Sequence, residues 1–81
     1  MNGTTTSATI ANTVFDALET FGVDPALITR EATFAELDVD SLDLAELTQI
    51  VDDTFDVVLT GDDLKVIKNV GDVLDLIEQR A

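Results

Sequence analysis

The chain has 81 residues, with 17 acidic and 4 basic side chains and no histidine, so a formal charge of −13 sits on a length that suits one small domain. That charge excludes phosphate backbones and anionic membrane surfaces as partners, because both are bound through Lys and Arg clusters that are absent here. Without Cys or His there is no thiolate, imidazole base or imidazole metal ligand, which removes thiol, triad and soft-metal chemistry and leaves basic proteins as the natural partners.

Met1–Ser7 is polar, lacks Lys and Arg, and leads into no apolar stretch long enough for a signal peptide or a membrane span. A soluble, cytoplasmic monomer is therefore expected, with residues 1–6 flexible. Ile10, Val14, Ala17, Leu18 and Phe21 recur at helical spacing and form one apolar stripe. Gly22 ends it, and Asp24-Pro25 keeps it from resuming. Residues 23–40 show no sustained period. A connection that long in so small a domain must be anchored, and Val23, Leu27, Ile28, Phe34 and Leu37 are the expected anchors, with a short helical turn over Pro25–Ile28.

A second helix is expected over Ser41–Phe55, with Leu44, Leu47, Val51 and Phe55 on the core side and Asp40 or Ser41 at its N-cap. Thr60 followed by Asp63 signals a cap and a short third helix carrying Leu64, Val66 and Ile67. Asn69 with Asp72 opens the last helix, over about residues 70–79, whose Val70, Val73, Leu74 and Ile77 share one face and whose Arg80 lies near the negative end of the dipole. Val57-Val58-Leu59 is too short for a sheet and reads as a buried linker. The expected fold is all-α: a small bundle of three main helices plus one short helix, with a long loop between the first and second, as a single domain over 1–81.

The informative segment is Leu37–Leu47, in which Ser41 stands where the long loop meets the second helix. Unpaired backbone N–H groups and the positive end of the helix dipole meet there, so a phosphate esterified to the Ser41 oxygen would be electrostatically favoured. Taken alone, an Asp-Ser pair more often only caps a helix. At about 100° per residue, the side of the helix turned from the core carries Leu42, Glu46, Gln49 and Asp53, flanked by Ala45 and Asp52 on one side and Asp43 on the other. An apolar knob ringed by carboxylates suits brief docking to a basic surface, although a merely solvated acidic face has the same composition.

Two other chemistries fail on the residues. An EF-hand loop opening at Asp38 would place Leu42 fifth, Asp43 where glycine is needed and Gln49 where a bidentate Glu is needed, so no metal site is assigned. A Ser41 nucleophile has no base, since the chain lacks histidine and neither Lys65 nor Lys68 forms a Ser-x-x-Lys arrangement with it.

With Phe34-Ala35-Glu36-Leu37 followed by Asp40-Ser41-Leu42-Asp43, the chain resembles the acyl carrier proteins of fatty-acid and polyketide biosynthesis over nearly its whole length. The resemblance implies 4′-phosphopantetheine attached covalently to Ser41, its thiol carrying acyl groups as thioesters to polyketide or fatty-acid enzymes, with no catalysis by the chain itself. It implies that Asp40 engages the phosphopantetheinyl transferase and the Mg2+ needed only for attachment. Leu42, Asp43, Glu46, Asp52 and Asp53 would form the recognition helix, with Gln49 on the same face and Asp56, Asp62 and Asp63 extending it toward ketosynthase, acyltransferase and other basic-surfaced synthase enzymes. An acyl chain sheltering between the helices is a further implication.

The chain departs from the family pattern at Asp38, where many members have glycine, and at Val39, where a small residue is frequent. Both bear on the pathway rather than the class, and the choice between fatty-acid and polyketide routes stays open. Peptidyl and aminoacyl carriers, with paired glycines before this element, match less well. The alternative from another class is an acidic interaction module that is never modified, in which Ser41 is only a cap.

Overall fold

The computed structural model describes residues 7–81; the expectation of a flexible 1–6 lies outside them. Four helices follow in order: α1 (Ser7–Thr20), α2 (Ser41–Phe55), α3 (Gly61–Val66) and α4 (Val70–Arg80), with one short 3-10 turn at Pro25–Leu27. The all-α expectation holds, for the only β pairing among the described residues is one isolated antiparallel bridge between Thr33 and Asn69.

α1 is the hub, packed against both α4 and α2. Its Ile10, Val14, Ala17 and Leu18 are buried, and meet Leu47 and Val51 of α2 and Val70, Val73, Leu74 and Ile77 of α4 in one core. Phe21 closes the stripe only partly buried. Beyond it Gly22 takes φ +102°, a conformation that glycine reaches without a Cβ clash. That turns the chain so that the Val23 amide donates to Leu18 O (3.1 Å) and the Gly22 amide to Glu19 O (3.0 Å), the paired bonds that satisfy the last carbonyls of a helix. α2 has no glycine at its end. Asp56 supplies the left-handed residue instead, at φ 58°, and its amide donates to Asp52 O.

The long connection is pinned from one side by the α3–α4 junction. The Phe34 amide donates to Lys68 O (3.2 Å), the Val70 amide to Ala32 O (3.0 Å) and the Gly71 amide to Arg30 O (2.8 Å). Gly71 is buried in this contact, and a Cβ there would meet Arg30 O at 3.0 Å, so a bare backbone lets the loop approach the helix. Phe34 and Leu37 anchor the loop as expected, with Val23 and Ile28 partly buried against the core.

Three apolar residues do not follow their expected roles. Leu27 is 56% exposed, because the 3-10 turn at the loop's outer edge, capped by Asp24, carries no buried residue. Val58 is 62% exposed while Val57 and Leu59 are buried, since an extended linker alternates its side chains and cannot bury three in a row. Val66 is 70% exposed: a helix of barely two turns turns one edge inward, and Leu64 and Ile67 occupy it. Conversely, Val39 is 8% exposed and joins the core, a position to which the lack of periodicity had assigned nothing.

Candidate functional site

The N-terminus of α2 resolves the choice of cap. Asp40 is extended, with φ −94° and ψ −176°, and its Oδ1 accepts from the Asp43 amide at 3.0 Å. Its carbonyl accepts the first helical bond, from the Leu44 amide. Ser41 is therefore the first helical residue, exposed, and its hydroxyl takes part in none of the side-chain hydrogen bonds among the described residues. The amides of Ser41 and Leu42 lie in the first turn, where no intrahelical acceptor exists. An esterifiable hydroxyl, amide donors beside it and the positive end of a four-turn helix fit a phosphodiester at this position.

The segment leading into this site is built as a single helical turn with a cap at each end. Thr33 and Glu36 form a reciprocal box: Thr33 N–H and Oγ1–H donate to Glu36 Oε1 (2.9 and 3.0 Å), and the Glu36 amide donates to Thr33 Oγ1 (3.1 Å). These bonds hold the Glu36 carboxyl below its ordinary value, the Thr33 amide contributing most. At the other end Asp38 sits at φ 60°, the Val39 amide donates to Phe34 O and the Asp38 amide to Ala35 O. Asp38 thus occupies the left-handed position that glycine fills at no cost and that Asp tolerates better than bulkier residues. The chain then drops Val39 into the core and emerges at Asp40-Ser41. The box follows the Thr-x-x-Glu pattern, a signal that reading residues 23–40 as an aperiodic connection passed over, while nothing in the residue type at Asp38 itself announces φ 60°.

Along α2, Leu42 is 77% exposed, and it lines a shallow groove with Ala45, Glu46, Gln49 and Ile50. Glu46, Gln49, Asp52 and Asp53 are exposed, Asp43 is half-buried, and Asp56 is exposed at the helix C-cap. The structure thus brings Leu42, Asp43, Glu46, Gln49, Asp52 and Asp53 together on one helix. Charge is distributed unevenly around it: Arg30 pairs with Asp75, Lys65 with Asp62 and Arg80 with Asp63, all away from α2. Among the described residues no ion pair joins a cation to a carboxylate of α2, so none of its negative charges is neutralised by a close partner.

Asp62 is open to solvent, at 3.8 Å from Lys65. Asp63 is engaged within the chain. Its Oδ2 accepts from Thr60 N–H (2.8 Å), Thr60 Oγ1 (3.0 Å) and Arg80 Nη1 (2.7 Å), its Oδ1 accepts from Arg80 Nη2 (2.8 Å), and its side chain is only 14% exposed. The Arg80 fork covers both oxygens and Oδ2 is crowded by three donors, which leaves this carboxylate poorly placed to meet a partner.

The same bonds make a pH prediction. The Arg80 fork first, and the Thr60 amide second, hold the Asp63 carboxyl well below the usual carboxylate range. A depressed folded value stabilises the fold above the ordinary value of about 4 and loses that contribution as pH falls through the folded one. The difference in melting temperature between wild type and Arg80→Gln should therefore be level from pH 7 to 5 and shrink in strong acid. A difference that grows on acidification would contradict the assignment.

Comparison with known proteins points the same way as the site. Residues 16–77 match the family model described as "Phosphopantetheine attachment site". The chain is 41% identical over 54 residues to the acyl carrier protein homolog of Mycoplasmopsis pulmonis, covering 67% of this chain and 74% of that one. It is 36% identical over 64 residues to the acyl carrier protein of Streptococcus pneumoniae serotype 4, covering 79% of this chain and 84% of that one.

Proposed function

The chain belongs to the acyl carrier protein family, a family of phosphopantetheine carriers, and from that premise we propose that it bears the arm on Ser41 and delivers acyl thioesters to polyketide or fatty-acid enzymes. The observation that carries this reading is the division of labour at the head of α2: Asp40 caps the helix and leaves the adjacent Ser41 hydroxyl exposed and unbonded. Were Ser41 only a cap, its own oxygen would hold the first-turn amide that Asp40 holds instead.

The arm supplies a thiol that keeps its acyl group activated as a thioester, and the chain's own task is to recruit and present. Leu42 gives a docking enzyme one apolar contact, while Asp43, Glu46, Asp52 and Asp53 steer the encounter toward basic surfaces of the transferase, ketosynthase and acyltransferase. Such a contact is small enough to release quickly, as delivery to successive enzymes requires. Mg2+ belongs to the attachment step, supplied with the transferase and coenzyme A, and no resident metal is proposed.

The test is an intact mass spectrum before and after incubation with a phosphopantetheinyl transferase, coenzyme A and Mg2+. A gain of one phosphopantetheinyl group is expected. No gain with several transferases would favour the acidic interaction module that is never modified.

A further inference from the structure

The stretch between the capped turn and α2 leaves Ser41 little choice of where to stand. Leu37 and Val39 are buried on either side of Asp38, and the chain surfaces at Asp40 as the cap of α2. Asp38 is exposed at φ 60°, an angle that an L residue keeps only where its surroundings impose it. Here the turn imposes it: the Leu37 amide donates to Thr33 O (3.1 Å), the Asp38 amide to Ala35 O (3.2 Å) and the Val39 amide to Phe34 O (2.9 Å). The turn is in its own right fixed at two points, by the Phe34 amide on Lys68 O and by the box that Glu36 makes with Thr33. Glu36 is exposed, and it stands five positions before Ser41 with every residue between them set by burial, by a backbone angle or by a cap. An exposed carboxylate on so acidic a chain could serve as one more docking charge, but Oε1 of this one already accepts both the amide and the hydroxyl of Thr33.

We infer that Glu36 is a positioning residue for arm attachment: through the Thr33–Glu36 box it holds the turn that seats Val39 in the core and so fixes the place and direction of the Ser41 hydroxyl. The inference deepens the carrier reading and rests on it. Attachment forms one bond, from Ser41 Oγ to the pantetheine-bearing phosphorus of coenzyme A, and breaks the pyrophosphate bond beside it. The nucleotide leaves with the electron pair, and the hydroxyl proton passes to a base of the transferase or to solvent. Such a displacement needs the attacking oxygen opposite the leaving group, and a first-turn serine on a frayed helix end samples that direction only part of the time. A box that keeps the helix head in one arrangement therefore acts on the rate of the bound complex more than on its formation.

Steady-state kinetics of attachment to the full chain, with a phosphopantetheinyl transferase, coenzyme A and Mg2+, tests this. Glu36→Ala and Thr33→Ala open the box from opposite sides, and each should lower kcat by about fivefold or more while KM for the chain stays within about twofold. Glu36→Gln keeps an acceptor oxygen without the charge, and Glu36→Asp restores the pairing seen at Thr60–Asp63, so both should keep kcat within about twofold of wild type. A docking charge would give another pattern, with Glu36→Gln as poor as Glu36→Ala, the loss in KM and Thr33→Ala unaffected; that pattern overturns the inference. Thr60→Ala opens the equivalent box on α3 and should leave kcat unchanged, whereas a fall matching that of Glu36→Ala would reduce the effect to general destabilisation and overturn it too. Amide hydrogen exchange on the unmodified chain reads the helix head directly. In both box-opening alanine variants Asp43 and Leu44, whose amides donate to Asp40, should exchange about fivefold faster or more, with α1 and α4 unchanged. Unaltered protection at Asp43 and Leu44 overturns the inference. If the wild-type chain accepts no arm, the carrier reading fails, and the exchange rates still decide whether the box holds the head of α2.

Discussion

Ser41→Ala is expected to abolish arm attachment completely while changing stability by no more than about 0.5 kcal/mol, the ordinary range for an exposed substitution away from a cap. The reason lies in the division between neighbouring residues: the hydroxyl lost is exposed and makes no bond within the described chain, and the Asp40–Asp43 cap remains. Asp40→Ala should behave oppositely. Removing a cap costs about 1 kcal/mol, or roughly 4–8 °C in melting temperature for a domain of this size, while the nucleophilic oxygen stays in place. Attachment to Asp40→Ala should be slowed rather than lost. Intact mass and thermal melts on the two variants separate the roles, and retained attachment in Ser41→Ala would remove Ser41 from the function altogether.

The parts of this fold that rest on repetition were the legible ones. A stripe such as Ile10, Val14, Ala17 and Leu18 states a helix and its buried face several times over, and all four are buried. Caps were legible at Thr60–Asp63 and Asn69–Asp72, each of which forms a reciprocal box, while the same chemistry at Thr33–Glu36 went unread inside the aperiodic loop. Positions fixed by a single backbone angle or by tertiary contact were not. Asp38 and Asp56 take left-handed φ without the glycine that usually signals it, and Val39 is buried through the turn that Asp38 makes. Arg80 was legible as a favourable charge at a helix end, but its grip on Asp63, 17 positions earlier, depends on how α4 returns beside α3. The site followed the same division. The outward face of α2 came from helical geometry alone, whereas Asp63 had the right charge for that surface and has its carboxylate spent on Thr60 and Arg80.

Reversing charge on that outward face, with Glu46→Lys and Asp53→Lys together, should weaken docking to a basic partner such as the transferase by about tenfold at physiological salt. Each exposed charge in a contact contributes on the order of 0.5–1 kcal/mol, and reversal replaces attraction by repulsion. The loss should lie mainly in the association rate and should shrink as salt is raised, because the residues steer from a screened surface. Neither side chain touches the core, so docking falls for a reason separate from folding. The stability readout makes this distinguishable: two reversals move the formal charge from −13 toward neutrality by 4 units, to −9, and relieve self-repulsion, so the melting temperature should hold or rise. A variant that melts lower would tie Glu46 and Asp53 to the fold. Unchanged transferase binding by a variant that melts as wild type would move the docking surface off α2.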